Sequence, residues 1–149
     1  MREKALTRVD ALALIALTAC AAVMAFTGLG SREAPRSYWS LAREGEAAVA
    51  DAGAVTEIER VAYWVGLGEG ACAVELSHDG AAWERVGLIE QPDLFGYVEW
   101  RVIPAAAAAR YLRLVVLQPG LEIGEVGAFG PDGRQVPLAA IEGPAGAFD

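Results

Sequence analysis

From Ala11 to Leu29 the chain reads "ALALIALTACAAVMAFTGL" without a charged residue, and no other feature restricts its architecture as strongly. At a helical rise of ~1.5 Å per residue the run approaches the ~30 Å hydrocarbon core of a bilayer. It has no polar face, which disfavours a half-buried helix packed on a soluble domain. Ahead of it Arg2, Lys4 and Arg8 outnumber Glu3 and Asp10. The positive-inside rule then keeps the N-terminus cytoplasmic and places everything after Gly30 outside. The expected layout is a cytoplasmic segment over 1–10, a single span over 11–30, a linker over 31–45, an extracytoplasmic domain over 46–139 and a tail over 140–149, at the plasma membrane.

Two other uses of the run can be weighed. A cleaved signal peptide has a shorter apolar region and a small-residue cleavage site before a polar start, and no clean site precedes Gly28–Ser31. "LTAC", Leu17 to Cys20, resembles a bacterial lipobox, which would make Cys20 a lipidated cysteine. A lipoprotein continues with a polar tether, whereas "AAVMAF" continues the apolar run. The uncleaved anchor is the better reading.

Charge removes one class of partner. Twelve Lys+Arg stand against twenty Asp+Glu, for a formal net charge of −8. Without a basic stripe there is nothing to neutralise phosphates, so nucleic acid is not expected as a partner. Cys20 and Cys72 are the two cysteines. One lies in the membrane run and the other in an apolar alternation, so no disulfide framework is expected. His78 is the single histidine, and no Cys/His cluster of zinc spacing exists. Cys72 reads as a small core residue.

Beyond the linker, runs of two-residue period alternate with turn signals. Strands are expected over Ala47–Asp51, Glu57–Gly66, Ala71–Ser77, Trp83–Glu90, Tyr97–Ile103, Arg110–Leu117 and Glu122–Phe129, with a short closing strand around Arg134–Leu138. Asp79-Gly80, Gln118-Pro119-Gly120 and Pro131-Asp132-Gly133 supply the turn chemistry. Leu112, Leu114 and Val116 share one face against Arg113 on the other. "PAAAAARY", Pro104 to Tyr111, covers barely two helical turns, too few to stand alone, and reads as a short helical turn or loop. The expected fold class is all-β, a jelly-roll β-sandwich preceded by one transmembrane helix.

The order of motifs adds a family. "SHDGAAW" (Ser77 to Trp83), "ARYLRL" (Ala109 to Leu114) and the closing Glu125 to Gly130, "EVGAFG", resemble the discoidin, or coagulation factor 5/8 type C, domain on the galactose-binding-like fold. "SHDGAAW" also invites comparison with the Asp-box of sialidase-like propellers. An Asp-box separates its Asp and Gly by one residue and recurs once per blade; here Asp79 and Gly80 are adjacent and the motif occurs once. A hairpin turn explains that adjacency, with Asp79 accepting a backbone N–H and Gly80 supplying positive φ. The resemblance implies Glu125 as a late calcium ligand. The family's early Asp-Gly calcium loop is missing from "SYWSLAREGEAAVADAG", which leaves too few oxygens for the ~6–8 that calcium takes. No cofactor is expected.

No catalytic constellation emerges. His78 lacks a nucleophile and sits on a hairpin shoulder, so a solvated turn residue is the simpler reading. "GLGEG" at Gly66–Gly70 follows a strand but opens no helix and lacks Lys-Ser/Thr, unlike a phosphate loop. Sugar recognition needs aromatic rings beside planar polar groups on exposed loops. The candidates for that role are Tyr38, Trp39, Phe95, Tyr97 and Arg101, while Trp64, Trp83 and Trp100 are expected in the core. The leading expectation is a membrane-anchored, non-catalytic module that binds glycan or a membrane-protein neighbour. A span followed by such a sandwich also resembles the N-terminal part of bacterial family 39, protein mannosyltransferase-related, multi-pass glycosyltransferases. On that alternative the chain is a fragment whose catalytic part lies elsewhere. A third reading is a purely structural packing domain or lipoprotein.

Overall fold

A computed structural model describes residues 8–26, 38–91 and 100–143, and the chain divides into two compact units, Met1–Ala34 and Pro35–Asp149. The first contains helix α1, Arg8–Phe26. Its apolar side chains are exposed, Leu12 and Leu17 at 67% and 70% of their surface. The Thr18 hydroxyl donates to the Leu14 carbonyl at 2.8 Å, so the helix satisfies its own side-chain polar group. Among the described residues no helix is long and apolar enough to cross a membrane. Of the expected span over 11–30, residues 11–26 are helical, and residues 27–30 lie outside the described residues.

The second unit is built of strands: β1 Trp39–Ser40, β2 Ala47–Val65, β3 Gly70–Ser77, β4 Glu84–Gln91, β5 Trp100–Gln118, β6 Glu122–Phe129, β7 Gln135–Val136 and β8 Ala139–Glu142. Their hydrogen-bonded order is β1-β6-β2-β5-β3-β4, with β7 beside β6 and β8 beside β2. The long strands β2 and β5 pair antiparallel through both halves of their length. The start of β2 and the end of β5 pair with β8 and β3 respectively, forming one layer closed by β4. The end of β2 and the start of β5 form a second layer with β6. The ladder slips twice: between Asp51 and Thr56, where Gly53 has φ +79°, and between Ile58 and Arg60, opposite Ala106 with φ +47°. These left-handed residues let the paired strands turn from one layer into the other.

The layers face each other across a single core. Leu112, Leu114 and Val116 from β5, Val74 and Cys72 from β3, and Val61 and Val65 from β2 are almost wholly buried in it. Gly87 on β4 marks the contact between layers: a Cβ there would lie 2.5 Å from Ile103 Cγ2, although β4 and that part of β5 share no ladder. Burial pushes the Cys72 thiol up to about 12, and its Sγ contacts the Ala73 carbonyl at 3.6 Å.

Three expectations are corrected. "PAAAAARY" is strand, because Ala107, Ala108 and Ala109 pair with Ile58, Glu57 and Thr56 and gain ladder hydrogen bonds that two isolated helical turns lack. The segments expected at 47–51 and 57–66 join into the single strand β2, and pairing continues past 139 through β8. The tryptophans exchange roles. Trp39 is the one in the core, at 3% exposure, while Trp64 and Trp83 are half-buried and Trp100 is 43% exposed on an outer face.

Candidate functional site

The turn between β3 and β4 sets the site. Asp79 Oδ1 accepts the Ala81 and Ala82 amides at 2.8 and 2.9 Å, and the Gly80 amide donates to Ser77 Oγ at 2.9 Å. These backbone donors hold the Asp79 carboxyl below the usual carboxylate range. Gly80 adopts φ +78°, and a Cβ added there would sit 3.4 Å from the Tyr111 ring. The turn therefore lies over Tyr111 and delivers Trp83 beside the outer face of the sheet.

That face is an ordered row of side chains from neighbouring strands. Glu75 on β3 is paired across the ladder with Arg113 on β5 and with Arg85 on β4. Arg113 Nε donates to Glu75 Oε2 at 3.0 Å, its Nη2 reaches the same oxygen, and Arg85 Nη2 reaches Oε1 at 3.4 Å. Glu75 is only 8% exposed, so two arginines compensate a nearly buried carboxylate. The Arg113 guanidinium also lies 4.1 Å from the Trp83 ring centroid, which fixes the ring's position. Further along β5, Arg110 donates from Nε and Nη2 to Asp51 Oδ1 and Oδ2, both at 2.8 Å, and sits 4.9 Å from the Tyr111 ring. The fork-shaped pair, with the Gly53 amide donating to Oδ1 at 2.7 Å, lowers the Asp51 carboxyl to about 2 and raises Arg110.

Two hollows share Trp83 as a wall. One, of about 270 Å³, is lined by Tyr111, Arg113, Gly80, Val49 and Glu142 along with Trp83. The other, of about 250 Å³, adds His78, Glu84, Ser77 and the Ala107–Ala109 stretch. A third hollow, of about 350 Å³, lies at the β2 bend between Thr56, Glu57, Asp132, Arg134 and Gln135, without an aromatic ring. The Trp83 region alone of these combines rings, a guanidinium, an imidazole and carboxylates, the groups that hold a sugar by stacking and planar hydrogen bonding.

Of the residues expected to bind, Tyr38, Trp39 and Arg101 do not line these hollows. Trp39 is core and presents no face to a ligand. Tyr38 is 41% exposed and rests against Gly66, where a Cβ would come within 3.0 Å of its ring. Arg101 donates from Nη1 to the Glu90 carbonyl at 3.3 Å. Phe95 and Tyr97 lie outside the described residues. His78 is exposed on the turn, as a solvated residue. Glu125 stands on β6 opposite Trp64, whose ring offers no oxygen, and among the described residues no group of three or more His, Cys, Asp or Glu side chains could hold a metal ion. Neither Tyr111 nor Glu142 is among the residues the sequence points to. The usable signal is the alternation of "ARYLRL", which puts Tyr111 and Arg113 on the face opposite Leu112 and Leu114.

No family model and no curated protein matches the chain. Among solved structures it is similar to CBM32-6 of CpGH89, a family 89 glycoside hydrolase from Clostridium perfringens, with a TM-score of 0.51 and 17% identity. The match covers 66% of this chain and 81% of that one. At this identity the likeness is one of fold. It supports an all-β sandwich for the strand-built unit.

Proposed function

We propose that the chain is a non-catalytic glycan-binding module, held by α1 on the outer side of a membrane, with its sugar site around Trp83. The observation that carries the reading is the pair of hollows walled by Trp83, where Tyr111, Arg113, Glu142 and His78 surround an aromatic platform. The fold supports it, since the similar bacterial structure is a carbohydrate-binding module. Arg113 is fixed by Glu75 and by the Trp83 ring before any ligand arrives, and such preorganisation lowers the entropy cost of binding. No step of bond cleavage is assigned to these residues.

Anchoring rests on the exposed, charge-free face of α1 and on the basic residues that precede it. From Ala11 to Phe26 the apolar helix measures about 24 Å at ~1.5 Å per residue, short of the ~30 Å core. A full span therefore uses residues 27–30 as well. On this reading the N-terminus is cytoplasmic and the sandwich extracytoplasmic. The test of function is a glycan array probed with the full chain in detergent, with and without calcium. Retention of a glycan in both conditions is expected; retention of none rejects the module, and retention only with calcium rejects the site as described.

A further inference from the structure

The indole of Trp83 has two faces, and one of them is taken. The Arg113 guanidinium lies over the ring, 4.1 Å from its centroid, and is held by its hydrogen bonds to Glu75 Oε2. A sugar ring stacked on Trp83 therefore uses the other face. Of the two hollows walled by Trp83, the one of about 270 Å³ has Arg113 in its lining and meets the covered side. The one of about 250 Å³ is lined by Trp83 without Arg113, and the small residues Ala107–Ala109 along its wall leave room for a ring.

Few polar side chains remain for a ligand in that hollow. Ser77 Oγ is already engaged, accepting the Gly80 amide at 2.9 Å and donating to Asp79 Oδ1 at 3.2 Å. That leaves His78 and Glu84, both exposed. Among the described residues the Glu84 carboxylate has no ion-pair or hydrogen-bond partner, and the same holds for Glu142 in the neighbouring hollow. Arg113 is the one guanidinium in the two linings, and it cannot leave the nearly buried Glu75 without stripping that carboxylate of its main partner. An arginine in a sugar site ordinarily points to a carboxylate on the sugar, held by a fork of N–H donors. Here such a sugar would meet Glu84 or Glu142 with no free guanidinium to offset them.

We infer that the Trp83 site selects a saccharide with a free amino group, stacked on the ring face that Arg113 leaves open and with its ammonium on Glu84. The inference rests on the proposed sugar site and names the class of sugar that site takes. A hydrogen bond between charged partners is roughly twice as strong as a neutral one, so Glu84 favours an ammonium over the amide of an N-acetylated sugar. His78 can exchange a hydrogen bond with a ring hydroxyl. Glu142, on the other side of Trp83, adds a second negative charge that attracts the ammonium and repels uronic acids.

The test is titration calorimetry of the full chain in detergent with oligosaccharides of one length: a β-1,4-linked glucosamine oligomer, its fully N-acetylated form and a galacturonate oligomer. The glucosamine oligomer is expected to bind at least about tenfold more tightly than the N-acetylated one, and the galacturonate oligomer not measurably. Glu84→Gln is expected to remove that preference. Glu90→Gln makes the same change of charge on β4 outside both hollows and should keep it, which separates a local contact from general attraction to a chain of net charge −8. Far-UV circular dichroism matching the parent shows that both variants are folded. Equal or tighter binding of the N-acetylated or galacturonate oligomer, lost in Trp83→Ala, overturns the inference and leaves the sugar site standing. A preference that survives Glu84→Gln, or that Glu90→Gln also abolishes, overturns it as well. Binding of none of the oligomers rejects the amino-sugar class, and the sugar site falls with it only if the glycan array also retains nothing.

Discussion

Gly87→Ala tests the layering of the sandwich with one methyl group. Gly87 is not among the glycines of positive φ, so alanine is acceptable to its backbone. Relieving glycine's entropy cost in a strand would by itself stabilise by about 0.4–1 kcal/mol. The added Cβ, however, falls 2.5 Å from Ile103 Cγ2 and 3.1 Å from its Cδ1, inside van der Waals contact with a side chain that is 7% exposed. Ile103 is walled in and cannot swing clear, so an overpacking penalty of roughly 1–3 kcal/mol applies. The net expectation is a destabilisation of about 1–2 kcal/mol, the difference of the two effects. In a domain of this size that is a fall in Tm of roughly 4–12 °C. Ile103→Ala alone opens a cavity and costs about 2–5 kcal/mol. The informative quantity is the double variant: the methyl group added at Gly87 occupies part of the space that Ile103 vacates. Urea unfolding of the parent, both singles and the double gives the coupling, expected to be favourable by roughly 0.5–3 kcal/mol. Strict additivity, or a stabilising Gly87→Ala, would refute the placement of β4 over the first half of β5, and with it the two-layer arrangement.

Two further outcomes follow from the charges and the helix. The Asp51 carboxyl is lowered in the fold, from 3.8 to about 2, by Arg110 and the Gly53 amide, so its contribution to stability is complete above about 3.8 and is lost as pH falls through about 2. Asp51→Asn should flatten the stability–pH curve between about pH 4 and about pH 2, as followed by thermal unfolding, and an unchanged slope would contradict the assigned pair. The full chain should stay with membranes after carbonate washing, while removal of residues 1–30 should release it; a parent that washes off would reject anchoring by α1.

What could be read in advance was what depends on near neighbours. The "SHDGAAW" turn is such a case: its hydrogen bonds run between Ser77 and Ala82 and need only the local order of a hydroxyl, an Asp and a Gly. Strand positions and the inward set Leu112, Leu114 and Val116 follow from a two-residue period in the same way. The fate of the tryptophans does not. Trp39 is buried because β1 sets it opposite Ile123 on β6, and Trp100 is exposed because the register with Trp64 turns it outward. Both are decided by partners far along the chain, and a tryptophan's size alone says only that it will find some cover. The alanine run misled for a related reason. Its local preference is helical, but its place beside Thr56–Ile58 supplies ladder hydrogen bonds that override propensity. The site around Trp83 was half legible: the turn and the outward phase of Tyr111 and Arg113 lie in local pattern, whereas Glu142 arrives only because β8 pairs with β2.

The central claim is a sugar site walled by Trp83, and titration calorimetry tests it most directly. A glycan retained on the array would be titrated into the full chain and into Trp83→Ala, with unfolding curves for both to confirm that the variant is folded. Loss of the stacking platform is expected to weaken binding at least about tenfold, equivalent to about 1.4 kcal/mol, at unchanged secondary structure. A folded Trp83→Ala variant that binds the glycan as tightly as the parent would contradict the account.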